Sequence, residues 1–449
     1  MKIKTGFIFF FGALGGLLFG FDTGIISGAS PLIQTDFGLS DAQVGFITSA
    51  VLLGSVAGAL IIGPLVDKYG RKPLLILASV VFVVGALLCA VSTGFVFLSI
   101  ARIVLGLAVG AASGMVPSYL AELSPASKRG SLSGLWQLMI TAGILLAYAA
   151  NFSLLGHDLA GQWDWRWMLG SAVVPAAIML IGALFLPESP RFLVKAGNME
   201  EAEAVLNHLR ENTGEDAAAE LAEIKTVANE TNGTFGDALK ISTPAVIAAI
   251  GIMFFQQFVG INTVIYYLPK IFIDGFGFPE DQAILVSVGI GVVNFLVTII
   301  SLLVVNKIDR KKMLYLGAAI MMISLFVITI LTYTMDLANA AIPTMILVAV
   351  YIFGFGTTWG PVAWIIIGEI FPLQIRGVGN SIGSAANWGC NWIVTMFFPI
   401  ILGAFGGNIG GPFAVFGVFC ILALIFVWKF IPETRGKSLE QIEEEMKQK

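Results

Sequence analysis

The stretch GFIFFFGALGGLLFGFDTGIISGA, Gly6–Ala29, is apolar or small throughout apart from Thr23, Ser27 and one charge, Asp22. A carboxylate inside a bilayer costs about 2.5–3.5 kcal/mol on insertion scales, so an aspartate kept there marks a functional site by default. A second charge, Arg102, lies inside another apolar stretch and is its natural partner. An acid and a base on separate membrane segments point to a proton-coupled transporter. The same two residues also read as a structural ion pair, or as groups facing a water-filled crevice.

Composition extends the membrane reading to the whole chain. Of 449 residues, 57% are hydrophobic and only 12% are charged. Mean hydropathy is +0.89. So few charges could not cover a soluble protein of this length, and the chain reads as a polytopic membrane protein. A net charge of −4 argues against nucleic acid as a partner. Cys89, Cys390 and Cys420 are odd in number and lie in apolar segments, so they read as packing residues, not as a disulfide or metal site. His157 and His208 fall in predicted loops, which leaves histidine out of the proton path. Lys2 and Lys4 mimic the start of a signal peptide, but no small-residue cleavage site follows and a first span is expected instead. With no metal cluster, nucleophile–base pair or nucleotide loop in view, neither an enzyme nor a cofactor is expected.

A helical span needs about 20 apolar residues. Twelve are predicted, near 7–28, 44–66, 74–93, 96–117, 131–153, 167–187, 245–270, 283–306, 313–335, 342–368, 375–402 and 411–431. The polar segment 188–244 has helix-forming stretches at Met199–Arg210 and Glu215–Asn229. The predicted domains are two six-helix bundles, 1–187 and 245–431, the linker 188–244 and a C-terminal helix in 432–449. That last helix opens on the capping box Ser438-Leu-Glu-Gln441. Of the 25 Lys and Arg, Arg102 is within a span and only Arg166 and Lys270 fall on the side opposite all the others. Both termini and the linker are therefore expected in the cytoplasm.

The halves repeat. Arg71-Lys72 returns as Arg310-Lys311, Glu122…Arg129-Gly as Glu369…Arg376-Gly, and Pro187-Glu-Ser-Pro-Arg191 as Pro432-Glu-Thr-Arg435, all at nearly one spacing. Six spans per half gives both halves the same topology, related by an axis along the membrane normal. That architecture expects the substrate near the midplane, between the repeats.

These motifs carry a resemblance. Gly63-Pro-Leu-Val-Asp67-Lys-Tyr-Gly70-Arg71-Lys72 resembles the loop 2–3 signature of the major facilitator superfamily. Arg102 and Gly106…Gly110…Tyr119-Leu-Ala-Glu122…Arg129-Gly130 resemble its sugar porter family. So do Pro187-Glu-Ser-Pro-Arg191, Gln256-Gln257-Phe-Val-Gly-Ile-Asn262, Gly360-Pro361-Val-Ala-Trp364 and Pro432-Glu-Thr-Arg435-Gly436. The match spans essentially the whole chain. It implies an all-α membrane protein of the major facilitator fold in the cell membrane, similar to bacterial hexose–proton symporters and human facilitative glucose transporters. The implied partners are a monosaccharide, a proton and the bilayer, with one chain sufficient as a monomer.

Charges at the cytoplasmic helix ends are expected to form a latch that makes and breaks during alternating access. Asp67, Arg71, Glu122, Arg129, Glu188 and Arg191 serve one half, and Arg310, Glu369, Arg376, Glu433 and Arg435 the other. The same charges could serve only to hold loops in the cytoplasm. Asn306 and Asp309 stand where Asp67 and Gly70 stand in the first half, so the two latches are not expected to be equal.

A hexose offers hydroxyls that donate and accept, and Asn and Gln side chains do both without net charge. The spans hold Gln137, Gln256, Gln257, Asn262, Asn294, Asn387 and Asn391, with the aromatics Phe19, Tyr266, Trp364 and Trp388. The resemblance assigns these to sugar contact, with Tyr266 as a gating aromatic. Interhelical hydrogen bonding is the alternative, and it applies most to Asn391. Gly260, Gly354, Gly356, Gly360 and Pro361 weaken their helices, either as flexible points or for close packing.

Arg102 stays protonated, so the pair with Asp22 switches only through Asp22. The resemblance places aspartate here in the symporters and Asn in the human facilitators. The expected function is proton-coupled import of a monosaccharide, with an uncoupled facilitator as the alternative. Asn387 resembles the glucose-type carriers of the family, which implies glucose first, with galactose and xylose open.

Overall fold

The computed structural model describes residues 5–442 except 126–128, 157–163, 212–214, 228–235, 237–238, 241, 306, 373–374, 436 and 438–440. Side chains at 129–134, 226–227 and 376 also fall outside the description. His157, Asn306, Ser438–Glu440 of the capping box and the side chains of Arg129 and Arg376 therefore lie outside the described residues.

The described regular structure is helical. The first half runs α1 (Thr5–Phe37), α2 (Asp41–Tyr69), α3 (Arg71–Ala90), α4 (Phe95–Leu123), α5 (Arg129–Leu154), α6 (Asp164–Ser171) and α7 (Val173–Phe185). The linker holds α8 (Pro190–Lys195), α9 (Met199–Arg210) and α10 (Ala217–Val227). The second half runs α11 (Thr243–Phe258), α12 (Ile261–Phe276), α13 (Glu280–Val304), α14 (Arg310–Thr334) and α15 (Leu337–Gly354). A π-helical turn follows at Phe355–Trp359, then α16 (Gly360–Glu369), α17 (Arg376–Ala404) and α18 (Gly410–Phe430). Among the described residues these make 12 stretches long and apolar enough to cross a membrane. Helix is the form that satisfies every backbone group within one segment where no water is present. His208 lies in the last turn of α9 instead of in a loop, because the helix continues to Arg210.

Packing groups the chain into two compact units. Unit 1 takes Met1–Ile25, Ala50–Ala147 and Arg166–Thr231; unit 2 takes Ile26–Ser49, Tyr148–Trp165 and Asn232–Lys449.

Unit 1 is held by close backbone approach. Lipid is as apolar as leucine, so helices in a bilayer associate by packing small residues together. A Cβ built on Gly20 of α1 would stand 1.9 Å from the Ile140 carbonyl oxygen of α5, and one on Gly143 2.2 Å from that of Leu17. Gly106 and Gly110 of α4 meet the Val51 and Ser55 carbonyls of α2 just as closely, each at 2.0 Å. Gly20→Ala is expected to cost about 1–3 kcal/mol, since α1 must move off α5. A lowered thermal midpoint in detergent checks it, and an unchanged one would mean that this contact yields freely.

The linker docks on the same unit. Leu193, Val194, Ala202, Leu206 and Leu221 form its small core. Arg210 is buried, donates to the Leu123 and Ser124 carbonyls at the end of α4 (2.9 and 3.1 Å), and binds Glu220 through two bonds of 2.7 and 2.8 Å. A cation at a helix C-terminus meets its partial negative charge.

In unit 2 the seventh span is broken. Gly260 sits at φ 97°, the left-handed region that glycine favours, and separates α11 from α12. The freed Val259 carbonyl accepts a 2.9 Å bond from the Tyr351 hydroxyl. Proline has no N–H to give the carbonyl four residues back, and two such carbonyls are taken by tyrosines. Pro269 frees Ile265, whose carbonyl accepts from Tyr148 at 2.7 Å. Pro399 frees Thr395, whose carbonyl accepts from Tyr267 at 2.9 Å. Tyr351→Phe is expected to leave the Val259 carbonyl unpaired at a cost of about 1–3 kcal/mol, checked by thermal unfolding. A midpoint equal to wild type would mean that the break satisfies itself.

Candidate transport site

Asp22 of α1 and Arg102 of α4 meet inside unit 1. Arg102 donates Nη1 to Oδ1 at 3.1 Å and Nη2 to Oδ2 at 3.3 Å, a two-pronged pairing. Asp22 is 2% exposed and Arg102 0%. Breaking a buried pair by removing one partner leaves a charge in low dielectric, so any change in Asp22 protonation acts strongly on Arg102. Phe19 and Gln137, also of unit 1, are half-buried on α1 and α5.

The amides of unit 2 join into one chain. Asn262, just past the Gly260 break, donates to Gln257 Oε1 at 2.7 Å, and Gln257 donates to Gln256 Oε1 at 3.3 Å. Asn387 of α17 donates to the same Oε1 at 2.6 Å. The Gln256 amide nitrogen donates to the Trp359 and Gly360 carbonyls, each at 3.1 Å, where the π-helical turn meets α16. Gln256 thus ties three spans together at the π-helical turn. Asn294, on α13, faces the π turn: its Oδ1 would lie 3.9 Å from a Cβ on Gly356. Asn391 accepts from Thr395 of its own helix at 3.1 Å. Tyr266 and Trp388 are buried, while Trp364 of α16 is 39% exposed.

The charged helix ends repeat with the same geometry in each half, and backbone carries it. Glu188 accepts from the backbone N–H groups of Arg71 and Lys72 (2.9 and 3.1 Å), the first two of α3. Glu433 accepts from those of Arg310 and Lys311 (3.0 and 2.9 Å), the first two of α14. The first N–H groups of a helix have no partner within it and attract anions. Arg71 pairs with Glu122 at 2.8 Å, and Ser189 donates to the other oxygen of Glu122. In the second half Arg310 donates to the Val305 carbonyl, and Arg435 pairs with Asp309 at 3.2 Å. The Lys312 hydrogen bond, helped by Arg435, holds the Asp309 carboxyl below the usual carboxylate range.

Two other expected latch residues face solvent. Asp67 lies 3.6 Å from Lys195, both more than half exposed. Arg191 is exposed on α8. Glu369 keeps a buried Oε2 with no hydrogen bond among the described residues.

The model of the Sugar (and other) transporter family matches residues 8–446. The chain belongs to that family. A D-xylose transporter of Levilactobacillus brevis is 48% identical over 100% of this chain and 97% of that protein. The glucose transporter GlcP of Staphylococcus epidermidis is 43% identical over 100% and 99%. Among solved structures, the inward-open xylose transporter XylE of E. coli aligns with TM-score 0.85 at 32% identity, over 98% of this chain and 99% of that one. The form described as a major facilitator superfamily proton:xylose symporter, bound to 6-bromo-6-deoxy-D-glucose, aligns at 0.82 with 33% identity over the same shares. This member of the sugar transporter family is therefore a multi-pass membrane protein of the major facilitator fold, and a transporter, not an enzyme.

Several partners in the site had no sequence signal of their own: the Trp359 and Gly360 carbonyls, Tyr148 and Tyr351. Pro269 and Pro399 announce freed carbonyls at Ile265 and Thr395, but nothing local says which hydroxyl takes them.

Proposed function

We propose that this carrier imports a monosaccharide, glucose first, together with a proton by alternating access. The observation that carries the reading is the buried two-pronged Asp22–Arg102 pair on membrane spans. Protonation of Asp22 from outside releases Arg102 and favours the outward-facing, sugar-binding form. Loss of the proton inside re-forms the pair and resets the cycle. XylE's description as a proton:xylose symporter supports this coupling.

The sugar is held by Gln256, Gln257, Asn262, Asn294 and Asn387, with Tyr266, Trp364 and Trp388 as aromatic walls. The amide chain supports this, because it gathers neutral donors and acceptors, the chemistry that hydroxyls need, in one connected set of side chains. Phe19, Gln137 and Asn391 join on the family resemblance. The glutamates capping α3 and α14, with Arg71, Glu122, Arg310 and Arg435, act as the cytoplasmic latch. The moving bundles are 1–187 and 245–431, the termini and linker are cytoplasmic, and one chain is the working unit. D-Xylose is the second reading, favoured by the 48% identical D-xylose transporter.

Sugar-dependent pH change in proteoliposomes, run over glucose, xylose, galactose and arabinose, tests the proposal. Proton entry with glucose is the expected result. Proton entry with xylose alone would establish the second reading. Sugar flux without protons would make the protein an uncoupled facilitator.

A further inference from the structure

Lys270 is a lysine where a membrane carrier has little reason to keep one. It lies on α12, the 16-residue helix that follows the Gly260 break and also carries Asn262 and Tyr266. It is only 4% exposed. An ammonium that is buried needs a hydrogen-bond acceptor for each of its three donors. Lys270 has three partners: it donates to Gln34 Oε1 at 2.8 Å and forms ion pairs with Asp274 Oδ2 at 2.7 Å and Asp41 Oδ1 at 3.5 Å. Asp274 is one turn further along α12 and travels with it. The other two belong to the end of α1 and the start of α2. Gln34 is itself fixed, since it donates to the Leu39 carbonyl at 3.3 Å and to Asp41 at 3.2 Å.

Nearby contacts tie α12 and α2 each to a further helix. Tyr148 of α5 binds the Ile265 carbonyl of α12. On α2, a Cβ at Gly45 would stand 2.3 Å from the Met396 carbonyl of α17, and Ser49 Oγ lies 3.6 Å from Met396 Sδ. Both carboxylates of the cluster keep about two-fifths of their side chains in water (44% and 38%), so parting from Lys270 costs them little solvation.

We infer that Lys270 is a positioning residue that closes the non-cytoplasmic gate by seating α12 on Gln34 and Asp41. The inference rests on the carrier reading and the orientation proposed above. When α12 withdraws, Lys270 returns to water with Asp274 still beside it. When sugar draws Asn262 and Tyr266 inward, the same helix brings Lys270 back to its acceptors. The closed gate is thereby tied to the occupied site through one short helix.

The test uses the full chain carrying Ser49→Cys with Cys89→Ala, Cys390→Ala and Cys420→Ala, labelled with a membrane-impermeant maleimide in right-side-out and inside-out vesicles. Without sugar, Lys270→Gln and Asp41→Asn should each raise labelling from the outside by about fivefold or more, the scale of a coupling between sites. Their double variant should exceed neither, and Lys270→Arg should stay near the parent. Lys270→Gln should also lower both the external half-saturation for sugar and the maximal uptake rate. Unchanged labelling of a monodisperse Lys270→Gln protein would overturn the inference, as would an additive double variant or failure of Lys270→Arg to rescue. Increased labelling only in inside-out vesicles would overturn it too, by placing the gate on the other side. Labelling needs no transported sugar, so failure of the substrate or proton reading leaves this result readable.

Discussion

Asp22→Asn abolishes uphill sugar uptake and sugar-driven proton entry, while exchange of labelled sugar across a symmetric membrane survives. That is the expected result in proteoliposomes, and it follows from the geometry of one pair. Both Asp22 oxygens accept from Arg102 in a site closed to solvent. Asn has the same shape and one acceptor oxygen but cannot take up or release a proton near neutral pH. Each pH unit stores 1.36 kcal/mol per proton, enough to hold about a tenfold sugar gradient at one proton per sugar. The variant should lose all of it. Asp22→Glu, which titrates but carries a longer side chain, should keep some coupling at reduced rate, and it separates loss of chemistry from loss of fold. Retention of full accumulation by Asp22→Asn would reduce the pair to a structural tie.

Gln256→Leu should remove sugar transport at low concentration almost entirely. Gln256 makes four hydrogen bonds, donating to the Trp359 and Gly360 carbonyls and accepting from Gln257 and Asn387. Leucine leaves all four groups without this partner in a buried place, and each such group costs about 1–3 kcal/mol. Part of that is recovered by relaxation or water, so a net loss of about 2–4 kcal/mol, or roughly 30–1,000-fold in uptake efficiency, is expected. Asn387→Ala removes one bond from the same oxygen and should cost far less. Initial uptake rates and direct sugar binding on monodisperse protein give the comparison. Equal losses from the two variants would show that the amides contribute one by one, without Gln256 as their centre.

The charged helix ends show how far residue types alone can be read. Glu188 and Glu433 stood out as repeated acids, and an arginine partner was the natural expectation. Their carboxylates instead bind backbone N–H groups that open α3 and α14, and a backbone partner leaves no mark on composition. Asp67 was the reverse case: its motif is plain in the sequence, yet its side chain lies out in water beside Lys195. Lys270 was legible only as a charge on the sparsely charged side, and its three partners became visible only once α1, α2 and α12 were together.

The amino-acid sequence by itself determined the twelve spans, the two related halves, the transporter class and the two charges that belong inside the membrane. Those follow from whether a segment prefers lipid or water, which each stretch of about twenty residues decides locally. Tertiary structure alone decided that the amides converge on Gln256, that Tyr148, Tyr267 and Tyr351 take the carbonyls freed by two prolines and a glycine, and that Lys270 closes on Gln34 and Asp41. These depend on which face each helix turns to its neighbours, and helices in lipid set that by close packing of small residues. Residues some ninety or more positions apart meet there, and no local pattern records the meeting.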